Sequence, residues 1–110
     1  MKIDNMINNA FLLLDLYRLH SKKLMKKIKN EEIKALLLIS YKEDDILEMI
    51  ENIMYEKELL KDYLEKNDLN NAYRIYKDIK YKYKMIEKIL IDRIEDLIKI
   101  RALDIMKSNH

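Results

Sequence analysis

Apolar residues recur along this chain at three- and four-residue intervals, and the recurrence divides it into four segments. In the first, Ile3, Ile7, Ala10, Leu13, Leu14, Tyr17, Leu24 and Ile28 share a face. This spacing predicts a helix from about Asp4 to Lys29, with Asp4 as its N-cap. The run Phe11-Leu12-Leu13-Leu14 widens the stripe and predicts broad burial of this half. His20-Ser21 interrupts it. Lys22, Lys23, Lys26 and Lys27 then place cations at the helix C-terminus, where the macrodipole favours them.

Asn30 can cap a second helix, about 31–39, with Glu31 and Glu32 in its first turn. Ser40-Tyr41-Lys42-Glu43 reads as a capping box, with Ser at the N-cap and Glu at N3. The helix then breaks at Ser40 and restarts; the alternative is one continuous helix. The third helix covers about 41–66, on the stripe Ile46, Ile50, Ile53, Leu60 and Leu64. Asn67-Asp68 is the clearest loop signal in the chain.

The fourth helix has no breaker from about Leu69 to Met106, a length of roughly 55 Å at 1.5 Å per residue. One stripe reads Leu69, Tyr73, Tyr76, Ile79, Tyr83, Ile86, Leu90, Ile94 and Leu97. A second passes Ile91, Ile94, Ile98, Ala102 and Ile105. From Met85 onward this helix is therefore apolar on more than one face. It outruns a compact domain of this size, so it must bend, span the bundle, or project and pair with another chain. The expected fold is all-α: one domain over 1–110, an antiparallel bundle of three to four helices.

Composition sharpens this picture. The 110 residues include no Gly, Pro, Cys or Trp. Low-cost positive-φ turns, Gly-rich phosphate loops, disulfides and thiolate metal sites are thereby excluded. The opening Met1-Lys2-Ile3-Asp4 carries no signal-peptide pattern, and no twenty-residue stretch lacks charge. The expectation is a cytoplasmic protein that does not enter membranes.

The net charge of +2 conceals segmentation. Residues 1–29 hold seven Lys/Arg against two acids, residues 30–68 five against twelve, and residues 69–110 ten against six. Either the acidic middle lies beside the two basic ends in the fold, or a basic surface is left for nucleic acid or an acidic partner. Lys22, Lys23, Lys26, Lys27, Lys80, Lys82 and Lys84 are the candidate nucleic-acid contacts. Tyr73, Tyr76, Tyr81 and Tyr83 interleave with basic residues, as stacking on single strands requires. Their helical spacing fits equally a half-buried row with hydroxyls at the rim.

No catalytic constellation stands out. His20 and His110 lack a nucleophile or metal partner, there is no Glu-x-x-His pair for a di-iron bundle, and Arg101 and His110 are nine residues apart. Glu43-Asp44-Asp45 reads as an acidic first turn of a helix rather than a cation site. The expectation is a non-enzymatic protein without cofactor or metal. Its partner interface lies on Ile91, Ile94, Leu97, Ile98, Arg101, Ala102 and Ile105, in a homo- or hetero-oligomer.

The stretch Asp92-Arg93-Ile94-Glu95-Asp96-Leu97-Ile98-Lys99-Ile100-Arg101-Ala102-Leu103-Asp104-Ile105-Met106, with Asp68-Leu69 and Ala72 before it, resembles the helical domain of GINS-family replication subunits. Ala10-Phe11-Leu12-Leu13-Leu14-Asp15-Leu16-Tyr17-Arg18-Leu19-His20 is loosely similar to that domain's opening helix. The resemblance implies a non-catalytic scaffold that joins a tetramer bridging replicative helicase components. Arg93 and Arg101, with Ile94, Leu97, Ile98 and Ile105, would then sit in or near subunit interfaces. GINS subunits usually add a small β-rich domain, for which this chain has no room. A different expectation is a small DNA-binding or regulatory helical protein of an archaeal virus or mobile element, working through its basic ends.

Overall fold

The computed structural model describes residues 2–109, leaving His110 outside the described residues. Four helices account for nearly all of them: α1 (Lys2–Lys27), α2 (Glu31–Ser40), α3 (Asp44–Glu65) and α4 (Leu69–Ser108). The all-α expectation holds, and no strand occurs among the described residues.

The helix ends show how a chain without glycine makes its turns. Asn30 accepts a hydrogen bond from the Ile33 N–H, capping α2 as its sequence position predicts. At the α3–α4 turn Asn67 takes a φ of +56°, the left-handed conformation that Asn tolerates best after Gly. The Asn67 N–H donates to the Leu64 carbonyl and the Asp68 N–H to the Tyr63 carbonyl, a Schellman closure. Asp68 then caps α4 by accepting from the Asn71 N–H.

Two predicted caps differ. Asp4 lies inside the first turn of α1 and pairs with Lys57 of α3. Ser40 ends α2, its hydroxyl donating to the Leu37 carbonyl, while Glu43 is the N-cap residue of α3 without a side-chain cap bond. The break exists, three residues further on than a capping box at Ser40 implies, and tertiary contacts hold it. The Tyr41 ring stacks on Tyr17 of α1, with centroids 5.0 Å apart. The Lys42 N–H donates to the Tyr17 hydroxyl. Arg93 of α4 donates to the Lys42 carbonyl at 2.9 Å and to Asp45. The backbone groups freed by the break are thus met by side chains from two other helices.

Ion pairs give the topology. Asp4–Lys57 and Arg18–Glu43 make α1 and α3 antiparallel. Glu56–Lys82 and Asp45–Arg93 make α3 and α4 antiparallel. Helices α1 and α4 therefore run parallel, with α1 residues level with α4 residues about 75 positions later, as Asn30 and Asp104 are. α2 and α3 form one interrupted column against α4, and Glu32 of α2 reaches Lys107.

The result is a rod of 66 × 20 × 15 Å with a radius of gyration of 18.4 Å, against about 13 Å for a compact chain of this length. α4 spans the whole of it. The core is Ile3, Ala10, Leu14, Tyr17, Leu24, Ile28, Ile33, Leu37, Ile46, Ile50, Ile53, Leu60, Ala72, Ile79, Ile86, Leu90 and Leu97.

Three expectations about burial fail. The buried stripe continues through His20-Ser21, where Ser21 is buried with its hydroxyl unpartnered. Leu64, Leu69 and Tyr73 lie exposed, because α4 overhangs the start of α1 and only α3 covers its first turns. The broad burial expected around Phe11 also fails. Phe11, Leu12, Leu16 and Leu19 are exposed. Leu12 stands two residues from both Ala10 and Leu14, roughly 200° around the helix, so it must point away from their core.

Candidate functional site

The second stripe of α4 is where the structure departs furthest from a closed bundle. Ile91 and Ile105 are each 44% exposed and Ile98 is 67% exposed. They recur at strict seven-residue spacing, with exposed Ala102 between the last two. Among the described residues none covers their outward sides. The remaining predicted interface residues divide. Leu97 is buried in the chain's own core, and Ile94 is half-buried against it. Leu97 is thereby closed to a partner, while Ile94 keeps part of its surface in the groove between α1 and α4. Arg101 is half-exposed and bound to Asp104.

On α1, Leu12, expected within a broadly buried half, forms an outward row with Leu16 and Leu19. With the 75-residue offset, Leu16 is level with Ile91 and Lys23 with Ile98. A groove between the two helices is lined by His20, Lys23, Lys27, Ile94, Ile98 and Arg101. The α1–α4 face therefore carries two apolar rows beside a cationic groove. Lys23 and Lys27 belong here, while Lys22 and Lys26 stand exposed elsewhere on α1.

Asp104 holds this end together, and sequence reasoning missed its role. It is 1% exposed. Its carboxylate accepts from the Asn30 N–H at 3.0 Å, from the Lys29 N–H at 3.3 Å and from Arg101 at 3.2 Å. An acid from α4 thus caps α2 across 74 residues of sequence, where the helix N-terminus favours negative charge. One signal was legible: Asp104 falls seven residues after Leu97, on the buried stripe.

Arg93, expected near a subunit interface, is spent inside the molecule. Its fork on Asp45 holds that carboxyl below its ordinary range. Arg18 does the same to Glu43, helped by the Tyr41 hydroxyl. Burial, then the hydrogen bond to Glu43, pushes the Tyr41 phenol up to about 12. Lys82 is likewise removed from the candidate nucleic-acid set, because it pairs with Glu56 and Asp78. Glu56 is nearly buried, and burial with the Asp78 carboxylate nearby raises its pKa.

Lys80 and Lys84 remain exposed on the first half of α4, joined by Lys77 and Lys88. Tyr73 and Tyr81 are 64% and 63% exposed, so the half-buried reading fails for Tyr73. Tyr76 and Tyr83 are half-buried, and the Tyr83 hydroxyl bonds Glu87. This ridge lies level with the first half of α1. The two basic ends therefore do not merge into one surface. Among the described residues no three His, Cys, Asp or Glu gather to hold a metal ion, and no helix is long and apolar enough to cross a membrane. Comparison with known protein families, curated proteins and solved structures finds no match.

Proposed function

We propose that the chain is a non-enzymatic helical assembly module whose α1–α4 face pairs with a second copy. The observation that carries this reading is the exposed row Ile91, Ile98 and Ile105 at heptad spacing on a 40-residue helix. Such a row supplies one of the two apolar positions per heptad from which a helix-pairing seam is built.

Charge favours an antiparallel pairing centred on Ile98. Parallel in-register pairing would set Lys77, Lys84 and Lys88 against their own copies. The antiparallel arrangement sets Ile91 against Ile105 and Glu95 against Arg101, and it leaves Lys77 and Lys84 outside. Magnitudes bear on the extent of the contact. Half-exposed isoleucines contribute about 1 kcal/mol apiece on burial, roughly 6 kcal/mol for six. That only matches the low end of the association cost, about 4 kcal/mol upward. The leucines of α1 must therefore join the seam.

Light scattering over a concentration series tests this. The expected result is a dimer that withstands moderate salt, and a monomeric Ile98→Asp variant that keeps its helicity but loses the concentration-dependent part of the melting temperature that the dimer supplies. A wild-type chain that stays monomeric at high micromolar concentration sinks the self-pairing. A finer reading, a GINS-like subunit of a replication complex, rests on the helix layout and the Leu97-Ile98-Lys99-Ile100-Arg101 stretch. It predicts hetero-tetrameric assembly on co-expression with partner subunits of that family.

A further inference from the structure

The cationic ridge on the first half of α4 has a chemistry that the assembly seam does not use. Tyr73, Lys77, Lys80, Tyr81, Lys84 and Lys88 are all exposed. Their spacing keeps them on the outward side of the helix, away from buried Ala72, Ile79 and Ile86. None of the four lysines has an ion-pair partner among the described residues, although α3 runs alongside and is strongly acidic. The acids that would neutralise them are exposed in their own right: Glu48, Glu51, Glu58 and Asp62. Of the basic residues from 74 to 88, only Lys82 crosses to α3. Intramolecular neutralisation of the basic segment thus stops at one residue.

The tyrosines supply a second, independent feature. Two rings are about two-thirds exposed and so present aromatic surface to a ligand. They stand eight residues apart, roughly 12 Å along one helix face. The Lys77 ammonium lies over one face of the Tyr73 ring, 5.3 Å from its centre, so a base stacks on the opposite face or displaces the lysine onto a phosphate. Cations follow a phosphate backbone, and open rings accept unstacked bases. A duplex hides the faces of its bases, whereas a single strand offers them.

We infer that the ridge Tyr73–Lys88 binds single-stranded nucleic acid, with Lys77, Lys80, Lys84 and Lys88 on phosphates and Tyr73 and Tyr81 as stacking platforms. The inference is independent of the self-pairing, since the antiparallel dimer leaves Tyr73 to Lys84 outside the seam and reaches the ridge only at Lys88.

The test is fluorescence anisotropy of the full chain with a labelled fifteen-nucleotide oligothymidylate, against the same length of duplex and against heparin. Binding should weaken with salt at a log–log slope of about −3, four phosphate contacts at −0.7 each. Tyr73→Ala with Tyr81→Ala should lower single-strand affinity by at least tenfold, since each stacked base is worth roughly five- to a hundredfold, with the salt slope unchanged. Tyr73→Phe with Tyr81→Phe should retain affinity, because stacking needs the ring and not the hydroxyl. Lys80→Glu with Lys84→Glu should abolish binding while circular dichroism stays the same. No binding of the single strand at low salt overturns the inference. So does equal or tighter binding of duplex, heparin or anionic phosphatidylserine vesicles, and so does indifference to the tyrosine-to-alanine changes.

Discussion

The outward stripe of α4 has two halves that share geometry and differ in chemistry. Lys77, Lys84, Ile91, Ile98 and Ile105 follow one another at seven-residue intervals on the same helix side, and all are exposed. Up to Lys88 the stripe is Lys and Tyr; beyond it, Ile and Ala. Periodicity alone cannot separate the halves, because a helix repeats its faces whatever occupies them. Solvent can separate them. A lysine row is stable in water, whereas an isoleucine row gains from being covered. The two halves therefore ask for different partners: a polyanion for the first and an apolar helix for the second.

Neither half holds the fold; the buried stripe beneath them does. Ile86 is fully buried under the junction of the halves. Ile86→Ala should cost about 2–5 kcal/mol in urea unfolding, because the cavity adds to the lost transfer energy. Next in size is Asp104→Ala, which leaves two backbone N–H groups and Arg101 without their acceptor. A loss of about 1–3 kcal/mol is expected. Hydrogen exchange should show it first at residues 30–34. If those amides stay protected, the apolar half does not depend on this cap.

Acid probes the junction between the halves. Asp45 and Glu43 have folded pKa values below the ordinary 3.8 and 4.5, so the stability they contribute is full above those values. It disappears as pH falls through the depressed folded values. Glu56 behaves oppositely. Its folded pKa lies above 4.5, so acidification from neutrality toward it first adds stability. The melting temperature should thus pass through a shallow maximum on the acid side of neutrality. Glu56→Gln should remove the rise and leave the acid fall. The smallest effects belong to the stripe itself. Ile98→Ala and Lys84→Ala should each change monomer stability by no more than about 0.5 kcal/mol. They should part only in solution behaviour, the first weakening self-association and the second nucleic-acid binding. A large stability loss from either would mean that the stripe serves the fold.

Much of the architecture was legible in the residues. The 3.6-residue recurrence, the absence of glycine and proline, the Asn30 and Asp68 caps and the Asn67 turn follow from local rules that need no neighbour. So does the double apolar character of α4 beyond Met85. The candidate interface was legible in part. Ile91, Ile98 and Ile105 stand out by spacing, but nothing local distinguishes them from Ile94 and Leu97, which the bundle buries.

What lay beyond the sequence depends on which helix passes beside which. Leu12, Leu16 and Leu19 look like core residues until α1 is seen to be covered on one side only. Ser40 looks like a cap until Tyr17, Arg18 and Arg93 are found holding the break at Tyr41–Glu43 from other helices. Lys82 looks like its lysine neighbours until Glu56 is placed opposite, and Asp104 like any surface acid until α2 begins against it. A residue's own preference acts within one turn of helix. Burial, pairing and exposure are set by neighbours 25 to 75 positions away, and only the packed bundle brings those within reach.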